Sequence, residues 1–315
     1  MNDMKHVARG VIAAAVVVGL TACGGGGGGG GGGSGGLFAD AAGGAAASGS
    51  GGKTQADAPA AQAPETGTPG ASTSPATPDS PPSSSSPSEN TSAVDSSPCT
   101  NPADFHAGTT VDSTISSTVT TSTGTTTSSS RGISTVGQRA AFAGANPIAV
   151  ATKTIEPDDS SNTTSTSYVD LIDGNVLHYG GFGVGVVAAQ TYTSSFIYNP
   201  PLATPVAMQP GQTVDRTVAQ HSVSGTNLAS DQTLAYSLTY VGRETVTTPL
   251  GSFDTCHFLV HTTTTDAAGT VTTGAPTDSW VAAEGPYLGQ TLKWHTAQSW
   301  MVTDSVVTRM SYSPQ

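Results

Sequence analysis

The sequence predicts an all-β protein, an antiparallel sandwich or a curved half-barrel, preceded by a long disordered linker. Two observations predict the sheet: large apolar residues come in short alternating runs, and Gly, Pro, Asn and Asp separate those runs. A third observation predicts the linker. From residue 24 to about residue 98 the chain is almost wholly Gly, Ala, Ser, Pro and Thr, a composition that cannot bury enough surface to offset the entropy of ordering.

The first 22 residues have the layout of an export signal. A basic start with Lys5 and Arg9 precedes the apolar run VIAAAVVVGL, and small residues follow before Cys23. The run is about half of the roughly 20 residues that a helix needs to cross a bilayer. We therefore expect no retained transmembrane helix.

The motif LTAC at residues 20–23 resembles the lipobox of bacterial lipoprotein precursors. The resemblance implies that Cys23 is acylated, with palmitate or a similar chain, and becomes the mature N-terminus of a protein anchored in the cell envelope. Gly24 rather than Asp follows the cysteine, which in the sorting rule of enteric bacteria implies the outer membrane of a Gram-negative cell. The alternative is an ordinary secretory signal with an incidental cysteine.

Three segments follow from these patterns. Residues 1–22 are the signal peptide, residues 23–98 are the lipidated N-terminus and linker, and residues 99–315 form one antiparallel β-domain. A flexible chain as long as the linker would span roughly 45 to 50 Å. It would hold the domain clear of the lipid surface.

Local patterns place strands and hairpins in the domain. In TLAYSLTYVG two leucines and two tyrosines fall on one face, the pattern of a half-buried strand. Asp173-Gly174 lies between two apolar runs and suits a two-residue hairpin turn. Pro249 suits position i+1 of a type I turn. The stretch TVDSTISSTVTTSTGTTTSSS is either a pair of strands with exposed faces or a frayed lead-in.

Two cysteines, Cys99 and Cys256, remain once Cys23 carries lipid. Export places both in an oxidising compartment, where an even pair favours a disulfide. Two separate thiols are the alternative.

The segment YVGRETVTTPLGSFDTCHFLV, followed about 20 residues later by DSWVAAEGPYLG, resembles a pattern in proteobacterial periplasmic and outer-membrane lipoproteins whose role is unsettled. The resemblance covers about the last 80 residues and implies a β-rich envelope fold but no activity. Where that family has Gly-x-Gly after the tryptophan strand, this chain has Gly-Pro-Tyr. The matching residues are Gly242, Glu244, Val246, Pro249, Gly251, Phe253, Trp280, Val281 and Ala282.

No motif for catalysis or for a cofactor is present in the sequence. A G-x-S-x-G elbow before a helix is missing, and Glu244 beside Arg243 predicts a surface pair rather than one of two catalytic carboxylates. His257 and His261 on one strand would lie about 13 Å apart, too far for one metal ion unless His178, His221 or His295 folds back toward them. We expect no enzyme, no metal and no cofactor, with a hydrolase lacking a recognisable motif as the third alternative.

The C-terminal aromatics leave two functions open. Trp280, Trp294 and Trp300 either line an apolar or sugar-stacking groove or fill the core. The first case is a ligand-binding or carrier module, for an apolar or glycan ligand, in the periplasm or at the outer membrane. The second is a structural or protein-interaction module of the envelope. A net charge of -12 without a basic stripe excludes nucleic acid as a partner.

Overall fold

The computed structural model describes residues 94–156, 161–187, 190–225 and 228–315. The predicted signal peptide, the predicted lipidated Cys23 and the predicted linker up to residue 93 lie outside the described residues. Among the helices that the structure describes, none is long and apolar enough to cross a membrane.

The described domain is built from β-strands joined by turns. One-turn 3₁₀ helices lie at Ser97–Cys99, Pro102–Phe105 and Gly285–Tyr287. In chain order the strands are β1 (Thr110–Thr121), β2 (Gly124–Arg139), β3 (Ile148–Ile155), β4 (Ser161–Ile172), β5 (Asn175–Val187), β6 (Gln190–Pro205), β7 (Thr213–Ser224), β8 (Leu228–Thr248), β9 (Gly251–Asp266), β10 (Val271–Thr273), β11 (Thr277–Ala282), β12 (Thr291–Gln298) and β13 (Met301–Ser313).

The strands form one antiparallel sheet that closes on itself. Strands β1 to β9 pair in chain order, and β11, β12 and β13 lead back to β1. The ring closes because β9 pairs with β8 on one side and with β11 on the other, while β10 pairs only with the end of β9. The result is a 12-strand barrel. The predicted all-β antiparallel class is confirmed, and the curved sheet continues until β8 and β9 pair and close the ring.

Strand β8 shows the alternation that its sequence predicts. Leu234, Tyr236, Leu238 and Tyr240 are buried, with the last two 0% exposed. Because successive side chains of a strand point to opposite faces, these four point into the barrel together. They form the centre of the larger apolar cluster of the core.

The predicted turns join the strands. Asp173 and Gly174 connect β4 to β5 with φ of 49° and 70°, the two positive values of a type I′ turn. Pro249 and Leu250 connect β8 to β9. The Thr/Ser-rich stretch forms β1 and much of β2, with β13 and β3 paired on either side. It is therefore part of the barrel wall and not a lead-in.

Residues 94–109 form an N-terminal plug at the end of the barrel where the β6–β7 and β11–β12 loops lie. Cys99 of the plug belongs to the larger apolar cluster, and Phe105 belongs to a second cluster with Val136, Ile148 and other residues of β2 to β5. A disulfide joins Cys99 to Cys256 of β9. We call this end the closed end and the opposite end the far end.

Hydrogen bonds hold the plug to the surrounding loops. The Ser96 hydroxyl donates to the Val206 carbonyl at 2.7 Å and accepts from the Met208 amide at 2.9 Å. Tyr240 of β8 donates its hydroxyl to the Val94 carbonyl at 3.1 Å. These hydrogen bonds fix the start of the plug, while its apolar side chains extend the core.

Removing the disulfide should destabilise the domain. It closes a sequence separation of 157 residues, which in the chain-entropy model corresponds to about 5 kcal/mol, with about 2 to 5 kcal/mol usual for natural disulfides. We expect the Cys99→Ser/Cys256→Ser variant, and wild type in reductant, to unfold at lower urea concentration than oxidised wild type. The variant is its own control, because reductant should leave its midpoint unchanged. Equal midpoints for all samples would contradict the prediction.

Candidate functional site

The structure places the three tryptophans in three different environments. Trp280 lies on the outer face of β11, where it stacks on the His257 ring of β9 with centroids 4.6 Å apart. The Lys293 ammonium of β12 lies 4.5 Å from its centroid. Trp294 packs against Ile115 and Val307 inside the barrel. Trp300, at the β12–β13 turn of the far end, is 63% exposed.

These positions determine whether the three tryptophans can line one binding groove. Trp294 is on the inner face, while Trp280 is held by its neighbours on the two flanking strands. Trp300 is the one with a largely open ring. The three therefore do not line one groove, and a ligand that contacts Trp300 would not contact Trp294.

A histidine lies between two carboxylates beside Trp280. His257 Nε2 is 2.7 Å from Asp278 Oδ1, and its Nδ1 is 3.1 Å from Glu244 Oε1. The Trp280 indole N–H also donates to Glu244. Arg243 pairs with Asp254, so the expected Arg243–Glu244 surface pair is replaced by pairs across strands.

This cluster has the residues of an acid–base site but not the arrangement. Each nitrogen of the His257 ring faces a carboxylate oxygen of a neighbouring strand. Neither nitrogen is open to take a proton from a nucleophile, as a general base must. In the part of the chain that the structure describes, no group of three or more His, Cys, Asp and Glu residues is placed to hold a metal ion.

The other histidines lie apart from this cluster. His221 and His295 pair with Asp231 and Asp304 on neighbouring strands, and His261 is exposed. The Nε2 atom of His178 is buried and finds no partner among the described residues. Burial lowers the pKa of His178 to about 4, so its ring is neutral at neutral pH.

A buried acid lies at the closed end. Asp104 of the plug is 0% exposed, and its Oδ1 accepts from Gln290 Nε2 at 3.0 Å and from the Tyr312 hydroxyl at 2.7 Å. Its Oδ2 has no partner in the described part of the chain. Burial raises the pKa of Asp104 to about 7, although the two hydrogen bonds oppose the shift. The carboxyl is therefore protonated in mildly acidic solution.

Strand β5 turns its small residues inward and its large ones outward. Gly181, Gly183 and Gly185 are buried, whereas Phe182 is 46% and Val186 is 39% exposed. This polarity is the reverse of an ordinary barrel strand, which points its apolar side chains to the core.

The inward positions of β5 hold glycines because atoms of the neighbouring strands lie too close for a larger side chain. A β-carbon on Gly181 would lie 3.0 Å from the Thr166 carbonyl oxygen and 3.2 Å from the Phe196 ring. The ring of Phe196 thus occupies the inner space that a larger residue on β5 would need. Aromatic side chains commonly cover strand glycines in this way.

The outward residues of β5 border a groove of about 290 Å³ on the outer face of the barrel. The groove runs over β2, β3, β4 and β5. Its lining includes Ile133, Ala151, Lys153, Thr164, Thr166 and Phe182. Sequence analysis missed this site: the alternation in FGVGVV predicts a strand but does not say which face turns outward.

No protein-family model matches the chain, and no curated protein matches it by sequence. Solved structures that align with part of it include the three that follow. A protein described as exported, with a YmcC-like fold, from Bacteroides fragilis aligns at a TM-score of 0.37 and 10% identity, covering 65% of this chain and 96% of that chain.

The other two structures are described as lipoproteins. One from Parabacteroides distasonis aligns at a TM-score of 0.37 and 11% identity, covering 66% of this chain and 96% of that chain. The hypothetical lipoprotein YmcC from Escherichia coli aligns at a TM-score of 0.30 and 13% identity, covering 63% and 84%. At these scores the likeness does not define a family for this chain.

The buried Asp104 should make stability depend on pH. Between about pH 4 and pH 7 the unfolded chain releases this proton while the folded chain keeps it. The free energy of unfolding therefore falls as the pH rises, by about 4 kcal/mol in total. Asp104→Asn removes this dependence. Between pH 4 and pH 8 the free energy of unfolding of the variant should therefore rise by about 4 kcal/mol relative to that of wild type. Urea unfolding at both pH values measures it, and parallel pH profiles for the two proteins would contradict it.

Proposed function

We propose that this protein is a lipid-anchored envelope protein whose barrel binds a ligand on its outer face, without catalysing a reaction. The anchor rests on the lipobox motif that ends at Cys23. The binding role rests on one observation above all, the outward apolar side chains of β5 beside a groove.

The outer groove supports binding better than the interior does. Phe182 exposes 46% of its surface, which costs free energy in water unless a partner covers it. At the closed end, the core and the plug fill the interior with apolar side chains. Of the predicted ligand-facing residues, Trp294 packs in the core. We therefore move the proposed binding surface from the C-terminal tryptophans to β2 to β5.

The His257 cluster favours a structural role over catalysis. Its two carboxylates lie against the imidazole from both sides, and the four groups belong to β8, β9 and β11. Such cross-strand pairs stabilise a sheet. A hydrolase would need an open base beside a nucleophile.

A second candidate function is an interaction module that contacts a partner with its far end. Trp300, 63% exposed, supports it, because exposed tryptophans often anchor protein interfaces. The described chain enters the barrel at the closed end, so Trp300 lies at the end opposite the attachment of the predicted tether.

The lipobox motif predicts that lipid is attached to Cys23 and to no other cysteine. Cells given alkyne-palmitate should label the wild-type protein and the Cys99→Ser/Cys256→Ser variant, but not Cys23→Ser, because only a thiol at the lipobox position accepts the diacylglycerol. Label on the Cys23→Ser variant, or none on wild type, would refute the anchor.

Ligand binding at the outer groove can be tested by photocrosslinking in the native envelope. We expect benzoylphenylalanine at position 182 to form an adduct upon irradiation, since a bound ligand would lie against this side chain. The matched control is benzoylphenylalanine in place of Val271, which is 62% exposed on β10 and outside the groove.

Three outcomes decide the proposal. An adduct at position 182 and none at position 271 supports it. No adduct at 182, or equal yield at both positions, overturns it. An adduct only with benzoylphenylalanine in place of Trp300 favours the far-end interaction module instead.

A further inference from the structure

The outer groove has an aromatic wall. Phe182 lies directly across from Thr166 of β4 and Ser195 of β6, two small polar residues that leave its ring open. A half-exposed aromatic ring between hydroxyl-bearing neighbours offers an apolar platform with hydrogen-bonding groups around it. The C–H face of a sugar ring fits such a platform, while its hydroxyls reach the sides.

The floor of the groove is shallow and carries hydroxyls. The register places Thr135, Ala151, Thr166 and Phe182 in one row across four strands. Small side chains keep this row low, and two of them are threonines. An acyl chain would need an enclosed, mainly apolar cavity, which a hydroxyl-lined groove on the outside of a sheet does not supply.

Next to this row lies Lys153, a cation with no ion-pair partner among the described residues. Lys153 lies between Ile133 and Thr164 in the adjacent row, and no ion pair of the described residues includes it. The carboxylate of Asp112, across from Ile133 on the other side, is bound by Arg131 instead. In a chain of net charge -12, an unpaired lysine at a groove is a specific attraction for an anionic group.

The spacing of the two groups sets the size of the ligand. Lys153 on β3 and Phe182 on β5 are two strands apart, about 10 Å, and lie in adjacent rows. Two linked rings are long enough to contact both side chains. One cation is too few for a nucleic acid, which binds through many phosphate contacts.

We propose that the outer groove binds an acidic saccharide, with one sugar ring stacked on Phe182 and the carboxylate of a linked sugar paired with Lys153. This assignment rests on the proposed binding role of the groove and names its ligand class.

Isothermal titration of the full-length acylated protein in detergent micelles tests the assignment. The probes are the tetrasaccharides of galacturonate, mannuronate and hyaluronan, each beside its carboxyl-reduced counterpart. We expect at least one acidic tetrasaccharide to bind saturably and to bind more tightly than its reduced counterpart. Lys153→Gln should lower the affinity for the acidic tetrasaccharide about fivefold, to that of its reduced counterpart, because the variant loses a partly exposed ion pair.

Two further variants separate the contributions. Phe182→Leu keeps an apolar side chain but loses the ring. It should lower the affinities for the acidic and the reduced tetrasaccharides alike, about fivefold. Arg309→Gln removes an exposed cation of β13, away from the groove, and should change neither.

The failures of the two proposals are distinguishable. Equal binding of acidic and reduced probes, or no effect of Lys153→Gln, overturns the acidic class and leaves the binding role in place. If none of the three acidic probes binds at millimolar concentration, while position 182 crosslinks to a protein or a lipid, the saccharide assignment is also overturned. With neither binding nor an adduct, both proposals fail.

Discussion

Closure of the sheet between β8 and β9 is the constraint on which the rest of the structure depends. The two strands pair from Gln232 and Asp266 down to the turn, and β9 then pairs with β11 on its other side. Closure of the ring fixes the interior volume that all inward side chains must share. Because Phe196 of β6 takes the inner space beside β5, β5 turns glycine inward and Phe182 outward. The proposed binding surface is thus a consequence of closure.

The closed end depends on the plug in a different way. A disulfide and a set of hydrogen bonds tie the plug to β9 and to two loops, and its apolar residues complete both large clusters. Asp104 is the exception in this apolar end, since it is buried with only one of its oxygens hydrogen-bonded within the described residues. A protonated carboxyl satisfies that position better than a charged one, because burial penalises the charge. The plug is therefore most favourable in mildly acidic solution.

His257 and Lys153, both on the outer face, differ in how their polar atoms are paired. His257 has a carboxylate on each side and an indole stacked against it. Its interactions are satisfied within the protein, and it has none left to offer a ligand. Lys153 has no ion-pair partner in the described part of the chain and stands beside an exposed aromatic ring. A ligand can pair with an uncompensated charge and cover the apolar surface beside it. We therefore propose binding at Lys153 and Phe182 and a structural role for His257.

The sequence by itself determined the β class, the inward face of β8 and the Asp173-Gly174 hairpin, because strand alternation and turn dihedrals are local. It favoured a disulfide between Cys99 and Cys256 but left two separate thiols as the alternative, because residue type alone does not fix the distance between two cysteines. Only the tertiary structure decided the closure of the sheet, the separation of the tryptophans and the outward face of β5. An alternating run of glycine and large residues predicts a strand but not which of the two sets faces the barrel interior. The orientation depends on which strand supplies the neighbouring aromatic ring, and the pairing of distant strands determines that.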